Sequence, residues 1–194
     1  VMKLSKFASR FNSQSGIVQL MDDLGNAMTN STDLLMLGGG NPSHIPTVQE
    51  SFRESLLRLI ENPSLFSRTI GNYELPQGNR DFINAIVEMM NKQYDWKINP
   101  NNVALTIGSQ SAFFFLFNML GGEYDDGTYR KILLPITPEY IGYSDVGLTP
   151  NLFYSYQPII EKMDEHLFKY RINFDKLIIK ENTGAICVSR PTNP

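Results

Sequence analysis

The sequence of 194 residues predicts an α/β fold, with three αβα layers around a mainly parallel sheet, preceded by an N-terminal arm. Apolar runs at residues 131–135, 152–156 and 185–189 have the length and the side chains of buried strands. Segments with helical periodicity alternate with these runs along the chain. Such alternation is typical of a parallel sheet whose faces are covered by helices.

The residues before Gly40 lack the pattern of a compact domain. Apolar side chains at helical spacing over 17–28 predict a helix, either in an arm or in the first piece of a smaller subdomain. A short apolar run at 34–37 predicts a strand that ends in Gly38-Gly39-Gly40. Successive glycines allow a backbone to approach a ligand closely, and they also suit a plain flexible turn.

Two amphipathic helices are predicted before the next strand. Apolar side chains lie on one helical face over 48–60 and again over 82–90. The loop over 71–78 between them contains Tyr73, whose simplest interpretation is an ordinary surface or interface tyrosine. Turn residues then precede the apolar run Val103–Ile107, which predicts a further strand.

The junction Gly108-Ser109-Gln110 joins this strand directly to an apolar helix. The start of a helix offers backbone N–H groups and the positive end of the helix dipole, which together suit a phosphate or another anion. The same residues also suit a plain strand-to-helix turn in which Ser109 or Ser111 caps the helix. Neither the P-loop nor the dinucleotide glycine spacing is present, which disfavours an ATP or NAD site of those kinds.

Two more candidate residues follow predicted strands, where ligands of parallel sheets bind. Tyr140 follows the strand at 131–135, and its ring can either stack on a flat cofactor or pack as a half-buried side chain. Asn193 follows the last strand. Its amide either reaches the same edge of the sheet or belongs to a turn before Pro194.

Composition and charge disfavour several classes of function. A net charge of -3 and the lack of a basic run disfavour nucleic acid or an anionic membrane as a partner. No apolar stretch is long enough to span a bilayer, and no secretory signal is recognisable, so a cytoplasmic protein is expected. His44 and His166 lie far apart, and no metal site is predicted. Cys187 lies in an apolar run and is expected to be a buried thiol.

A set of short motifs occurs in the order found in class I/II aminotransferases, the fold-type I enzymes that use pyridoxal 5′-phosphate (PLP). From about Phe7 onward the sequence resembles that family, and in particular bacterial members that move an amino group between L-valine or L-alanine and a 2-oxo acid such as pyruvate. The motifs are Leu37–Pro42, Asn72–Gly78, Thr106–Ala112, Pro138–Tyr143 and Arg190–Pro194.

The resemblance implies roles for the candidate residues in holding the cofactor. Gly108, Ser109 and Gln110 would hold the phosphate of PLP through backbone N–H and side-chain groups. Tyr140 would stack on the pyridine ring, and Asn193 would donate a hydrogen bond to the phenolic oxygen of that ring.

The resemblance also implies an assembly and a domain division. Tyr73 would reach the phosphate of the cofactor in the neighbouring subunit, so a homodimer is expected for the full-length protein. The backbone at Gly40 would lie near the carboxylate of the substrate. Residues 1–45 would form the arm and the start of the small domain, and residues 46–194 would form the N-terminal part of the PLP-binding large domain.

The family's remaining chemistry has no counterpart in this sequence. In the family, the lysine that forms the Schiff base with PLP and the acid that pairs with the pyridine nitrogen both follow the Asn-Pro motif. None of the lysines here stands at a matching position, so no catalytic residue is assigned. We therefore expect the N-terminal part of an aminotransferase that is inactive alone. The alternatives are a noncatalytic module that binds PLP or another anion, and an inactive remnant.

Overall fold

The computed structural model describes residues 3–6, 8, 16–30 and 43–191. The chain divides into two compact units, one of Val1–Gly39 with Ile107–Pro194 and the other of Gly40–Thr106. The predicted strand at 34–37 and two candidate site residues, Gly40 and Asn193, lie outside the described residues. Within the described ranges, no helix is long and apolar enough to cross a membrane.

The first unit begins with helix α1, Gly16–Asn30, which confirms the helix predicted over 17–28. This helix contacts a short 3₁₀ helix at Ile141–Asp145, which belongs to the same unit. The contact is close at Gly16, because a Cβ there would lie 2.8 Å from Cδ1 of Ile141.

The second unit is helical and confirms both predicted amphipathic helices. Its helices are α2 (Pro46–Glu61), α3 (Pro63–Gly71) and α4 (Arg80–Tyr94). Asparagine side chains cap two of them: Asn62 accepts a hydrogen bond from the Leu65 N–H, and Asn79 accepts one from the Phe82 N–H. Only Ile83 of these helices is fully buried, and the apolar stripe of α2 stays largely exposed.

The prediction of a strand at Val103–Ile107 is wrong. The backbone is extended at Val103, but the segment belongs to no strand ladder among the described residues. Its backbone is held instead by Gln77, whose carbonyl accepts from the Leu105 N–H at 2.9 Å and whose side-chain amide donates to the Val103 carbonyl. A run of apolar residues becomes a strand only where a neighbouring strand supplies the partners, and a loop residue supplies them here.

The sheet of the first unit is mainly parallel, as predicted. The strands among the described residues are β1 (Gly122–Glu123), β2 (Tyr129–Leu134), β3 (Phe153–Ser155), β4 (Ile159–Lys162), β5 (Phe168–Arg171) and β6 (Thr183–Ile186). Strand β2 is central: its Ile132 pairs with Phe153 of β3 on one side and with Ala185 of β6 on the other, in parallel. The short β1 pairs antiparallel with the start of β2, and β4 with β5 forms a separate two-stranded hairpin.

Helix α5, Gly108–Leu120, packs against β2 and β6 and closes the core of the first unit. The buried residues of this core are Phe117, Ile132, Tyr143, Val146, Leu152 and Cys187. The expected buried thiol is thus confirmed. The apolar helix is not buried on all sides, since Phe115 and Leu116 are exposed. An α/β unit of this kind brings the carboxyl ends of its parallel strands to one edge, where the candidate site lies.

Candidate cofactor site

The start of helix α5 has the geometry that an anion site needs. Gly108 has φ of 78°, a left-handed conformation that glycine adopts without steric cost. The residue before the helix, Ile107, provides no side-chain cap, and the Ser111 hydroxyl donates to the Ile107 carbonyl. The alternative in which Ser109 or Ser111 caps the helix is therefore wrong. The first N–H groups of an α-helix have no acceptor within the helix, and the exposed Ser109 lies in this first turn.

One cavity of about 490 Å³ brings most of the predicted residues together. Gly108, Ser109, Gln110 and Tyr140 all line it, although the first three begin α5 and Tyr140 follows β2. Three further lining residues are Phe113, Tyr143 and Ser189. The strands β2 and β6 run parallel as neighbours, so the segments that follow them meet at this edge of the sheet.

Tyr140 packs as a half-buried side chain, which was one of its two sequence interpretations, and its side chain also lines the cavity. Its ring makes an edge contact with the ring of Tyr143, at 5.4 Å between centroids and 83° between planes. It also lies over Gly142, where a Cβ would come within 2.8 Å of Cζ of Tyr140. A glycine at this position therefore lets the ring lie against the backbone.

Tyr143 and Ser189 are site residues to which sequence reasoning assigned no role. The Tyr143 hydroxyl and the Ser189 hydroxyl are hydrogen-bonded at 2.9 Å, across the segments that follow β2 and β6. Burial raises the pKa of Tyr143, and the hydrogen bond from Ser189 opposes that rise only in part. The phenol thus stays neutral at ordinary pH. In the sequence, Tyr143 is marked only by its place at the end of the motif Pro138–Tyr143.

Glu139 precedes the lining residue Tyr140 in the chain, and its side chain is almost completely buried. Its side chain is 3% exposed, and its Oε1 accepts a hydrogen bond from the Ser189 N–H at 3.1 Å. Nη1 of Arg190 lies 4.0 Å from the same oxygen. The second oxygen, Oε2, is buried and has no hydrogen-bond partner among the described residues.

A second cavity, of about 430 Å³, adjoins the first and shares Gln110 with it. Its lining is mostly apolar and comes from α1, α5 and the 3₁₀ helix at Ile141–Asp145. The residues of the lining include Ile17, Val18, Phe114 and Val146. The first unit therefore holds two cavities that share Gln110, and the cavity with Ser109 and Ser189 in its lining is the more polar one.

Tyr73 belongs to the second unit and lies outside this cavity. Its side chain is fully exposed, in the loop between α3 and α4. It lines a small polar cavity of about 210 Å³ together with Arg68, Arg80 and other side chains of that unit. Gly40 and Asn193 lie outside the described residues, so their predicted roles stay predictions.

Comparisons with known proteins show which enzymes this chain resembles. The chain is 45% identical to valine–pyruvate aminotransferase of Escherichia coli (strain K12) over 193 residues, which is 100% of this chain and 46% of that protein. It also matches the crystal structure of a Psychrobacter arcticum 273-4 protein named as an amino-acid aminotransferase. That match has a TM-score of 0.88 and 43% identity, and it covers 100% of this chain and 48% of the other. The chain is thus similar in sequence and in structure to fold-type I aminotransferases.

A second solved aminotransferase supports the same relationship. Valine–pyruvate aminotransferase from Salmonella typhimurium LT2 matches with a TM-score of 0.72 and 43% identity, over 92% of this chain and 42% of that one. No family model matches the sequence. The chain spans about half the length of the relatives it matches.

The lining of the polar cavity fits the cofactor that aminotransferases use. PLP carries a phosphate and a flat aromatic ring. The N–H groups at the start of α5 and the Ser109 hydroxyl can donate to a phosphate, and the Tyr140 ring can face an aromatic one. No acidic side chain lies among the described residues of the lining, and the nearby Glu139 carboxyl accepts a hydrogen bond from the backbone of the lining residue Ser189.

Proposed function

We propose that this chain forms part of a transaminase that moves an amino group between L-valine, or L-alanine, and a 2-oxo acid such as pyruvate. Its cofactor would be PLP. The observation that carries the proposal is the meeting of Gly108, Ser109 and Tyr140 at one cavity. The amino donor and acceptor are suggested by the 45% identity to valine–pyruvate aminotransferase, which extends over the whole of this chain.

The residues of this chain would bind and orient the cofactor. Backbone N–H groups from Gly108 onward and the Ser109 hydroxyl would hold the phosphate, with the Gln110 amide beside them. The ring of Tyr140 would fix the plane of the pyridine ring. When bound, PLP supplies an electron sink for carbanion chemistry at the α-carbon of an amino acid. Asn193 and Gly40 keep their predicted roles at the phenolic oxygen and at the substrate carboxylate.

We propose that the chain by itself binds PLP without turning over substrate. None of the described residues that line the cavity is a lysine, so the lining offers no amine for covalent attachment or proton transfer. The same observation favours the second candidate function, a noncatalytic module that binds PLP or another anion. The homodimer is proposed from Tyr73, whose full exposure suits a contact with a neighbouring subunit. The cytoplasmic location and the domain boundary at residue 45 stay predictions.

Titration of the 194-residue chain with PLP, followed by cofactor absorbance, tests the site. Inorganic phosphate should compete with PLP, because both would use the start of α5. Ser109→Ala should weaken binding about tenfold or more, since a hydrogen bond to a charged group contributes about 1.5–3 kcal/mol. The matched control is Ser155→Ala, an exposed serine on β3 away from the cavity, which should bind like the native chain.

The outcomes separate the two candidate functions. Binding that is insensitive to phosphate and to Ser109→Ala would place the cofactor elsewhere and remove the proposed site. Equal affinity for PLP and for phosphate alone would favour the anion module, because the ring contact at Tyr140 would then contribute nothing. Conversion of L-valine and pyruvate by the isolated chain would contradict the proposed inactivity.

A further inference from the structure

The walls of the polar cavity come from two separate stretches of chain. One stretch follows β2 and carries Tyr140 and Tyr143, and the other follows β6 and carries Ser189. The last ladder contact between the two strands is the hydrogen bond from the Cys187 N–H to the Leu133 carbonyl, at 2.9 Å. Beyond that bond the sheet no longer holds the two stretches together, so another interaction has to fix the wall.

Glu139 provides a connection at this point. Its Oε1 accepts from the Ser189 N–H at 3.1 Å, which joins the stretch after β2 to the stretch after β6. The hydroxyls of Tyr143 and Ser189 add a second connection at 2.9 Å, on the cavity side. The two connections flank Ser189, one through its backbone and one through its side chain.

The burial of this carboxyl group needs an explanation. The side chain is 3% exposed, and among the described residues Oε2 finds no partner. A buried carboxylate with an unsatisfied oxygen is unfavourable for folding, so its presence at a cavity wall suggests a role beyond stability. Burial raises the pKa of the Cys187 thiol, and the negative charge of Glu139 raises it further.

We infer that Glu139 is a positioning residue, which ties the chain after β6 to the chain after β2 and thereby holds Ser189 and Tyr143 in the wall of the cofactor cavity. It does not line the cavity itself, so it acts through the residues that do. The connection is a property of the chain without any cofactor. Its effect on PLP binding rests on the proposed function.

Hydrogen exchange measured by NMR on the cofactor-free chain tests the connection directly. In Glu139→Ala the Ser189 amide should exchange about tenfold to a hundredfold faster, because a hydrogen bond to a charged acceptor is lost. The Cys187 amide, bonded to the Leu133 carbonyl, should keep its native rate. Glu139→Gln retains an acceptor oxygen and should restore the slow exchange of Ser189. The matched control, Glu165→Gln, changes the same charge on the exposed β4–β5 hairpin and should alter neither amide.

Two further readouts separate positioning from general stability and from the proposed function. Glu139→Gln should lower the pKa of Cys187, seen in the pH dependence of its alkylation, and Glu165→Gln should not. In a PLP titration, the affinity of Glu139→Ala for PLP should be about tenfold lower, which corresponds to the loss of one hydrogen bond to a charged group. The affinity of Glu139→Gln should stay near that of the native chain.

An unchanged Ser189 amide in Glu139→Ala would overturn the inference. An equal acceleration at Cys187 and Ser189 would also overturn it, because Glu139 would then support the whole strand. If the exchange result holds and no variant, nor the native chain, binds PLP, then the connection stands and the proposed function fails.

Discussion

The ring of Tyr140 lies directly over Gly142, close enough that a Cβ at Gly142 would come within 2.8 Å of Cζ and 3.0 Å of the hydroxyl oxygen. Gly142→Ala should therefore turn the ring out of its contact with Tyr143. We expect the free energy of unfolding in urea to fall by about 1–3 kcal/mol, as is usual for an overpacked site. PLP affinity should fall as well, because the displaced ring lines the cavity.

A double-mutant cycle isolates this contact. In a Tyr140→Ala background the ring is gone, so Gly142→Ala should then change the free energy of unfolding by much less. Gly25→Ala serves as a control for the exchange of glycine for alanine, since no atom lies within 4 Å of its Cβ position in α1. It should stabilise the chain by about 0.5–1 kcal/mol. An equal cost of Gly142→Ala in both backgrounds would contradict the ring contact.

At Gly184, strand β6 lies close to the backbone of Leu120 at the end of α5. A Cβ there would clash with the backbone carbonyl of Leu120, because it would lie 2.9 Å from the carbonyl carbon. It would also lie 3.3 Å from Cβ of Arg130. A backbone group cannot rotate away as a ring can. Gly184→Ala should lower the free energy of unfolding by about 3 kcal/mol, at the upper end for overpacking. Urea unfolding that ranks Gly184→Ala as milder than Gly142→Ala would refute this assignment.

Asn118 joins helix α5 to the chain that follows the 3₁₀ helix carrying Tyr143. Its amide donates to the carbonyls of Phe114 at 2.7 Å and Val146 at 2.8 Å, and its oxygen accepts from the Leu148 N–H at 2.8 Å. Asn118→Ala removes all of these bonds in a part-buried place. We expect a loss of about 2–3 kcal/mol in the free energy of unfolding, measured with urea.

Two comparisons sharpen the Asn118 prediction. Asn118→Asp keeps the acceptor but places a carboxylate against carbonyl oxygens, so it should not rescue stability. Asn182→Ala is the matched control, because that exposed side chain makes one longer bond, at 3.3 Å to the Tyr129 carbonyl. Its effect should stay within about 0.5 kcal/mol. A similar loss for both alanine variants would mean that the bonds of Asn118 carry no special weight.

Cys187 should react with alkylating reagents only at unusually high pH. Burial raises its pKa, and the charge of Glu139 raises it further, so the reactive thiolate is scarce at the pH where an exposed thiol ionises. The matching contribution to stability is fully present below the ordinary pKa of a thiol, and it is lost as pH rises towards the raised value. Urea unfolding at increasing alkaline pH should show this loss, and Cys187→Ala should lessen it.

The control for Cys187 is a thiol moved one residue along the same chain. Cys187→Ala combined with Val188→Cys places the only cysteine at an exposed position. Its alkylation should follow the ordinary pKa of a thiol. If both chains react with the same pH dependence, the environment of Cys187 has no effect on its ionisation.

Local patterns were sufficient for α1, α2, α4 and α5 and for most of the parallel sheet, whereas α3 was not predicted. Periodicity predicted α1, α2 and α4, and the apolar runs predicted β2, β3 and β6 to within a few residues. The failure at Val103–Ile107 has a physical cause. Apolar composition favours an extended backbone, but the partner that makes a strand lies elsewhere in the chain, and Gln77 takes that place here.

By itself the sequence determined that Gly108-Ser109-Gln110 begins a helix and that Tyr140 follows a strand, because both depend on neighbouring residues. It determined the family resemblance for the same reason. The tertiary structure decided which residues share a cavity. Ser189 is hydrogen-bonded to Tyr143, which lies 46 residues earlier in the chain, and to Glu139, which lies 50 residues earlier. Contacts of that separation follow from the parallel pairing of β2 with β6, and no local pattern encodes them.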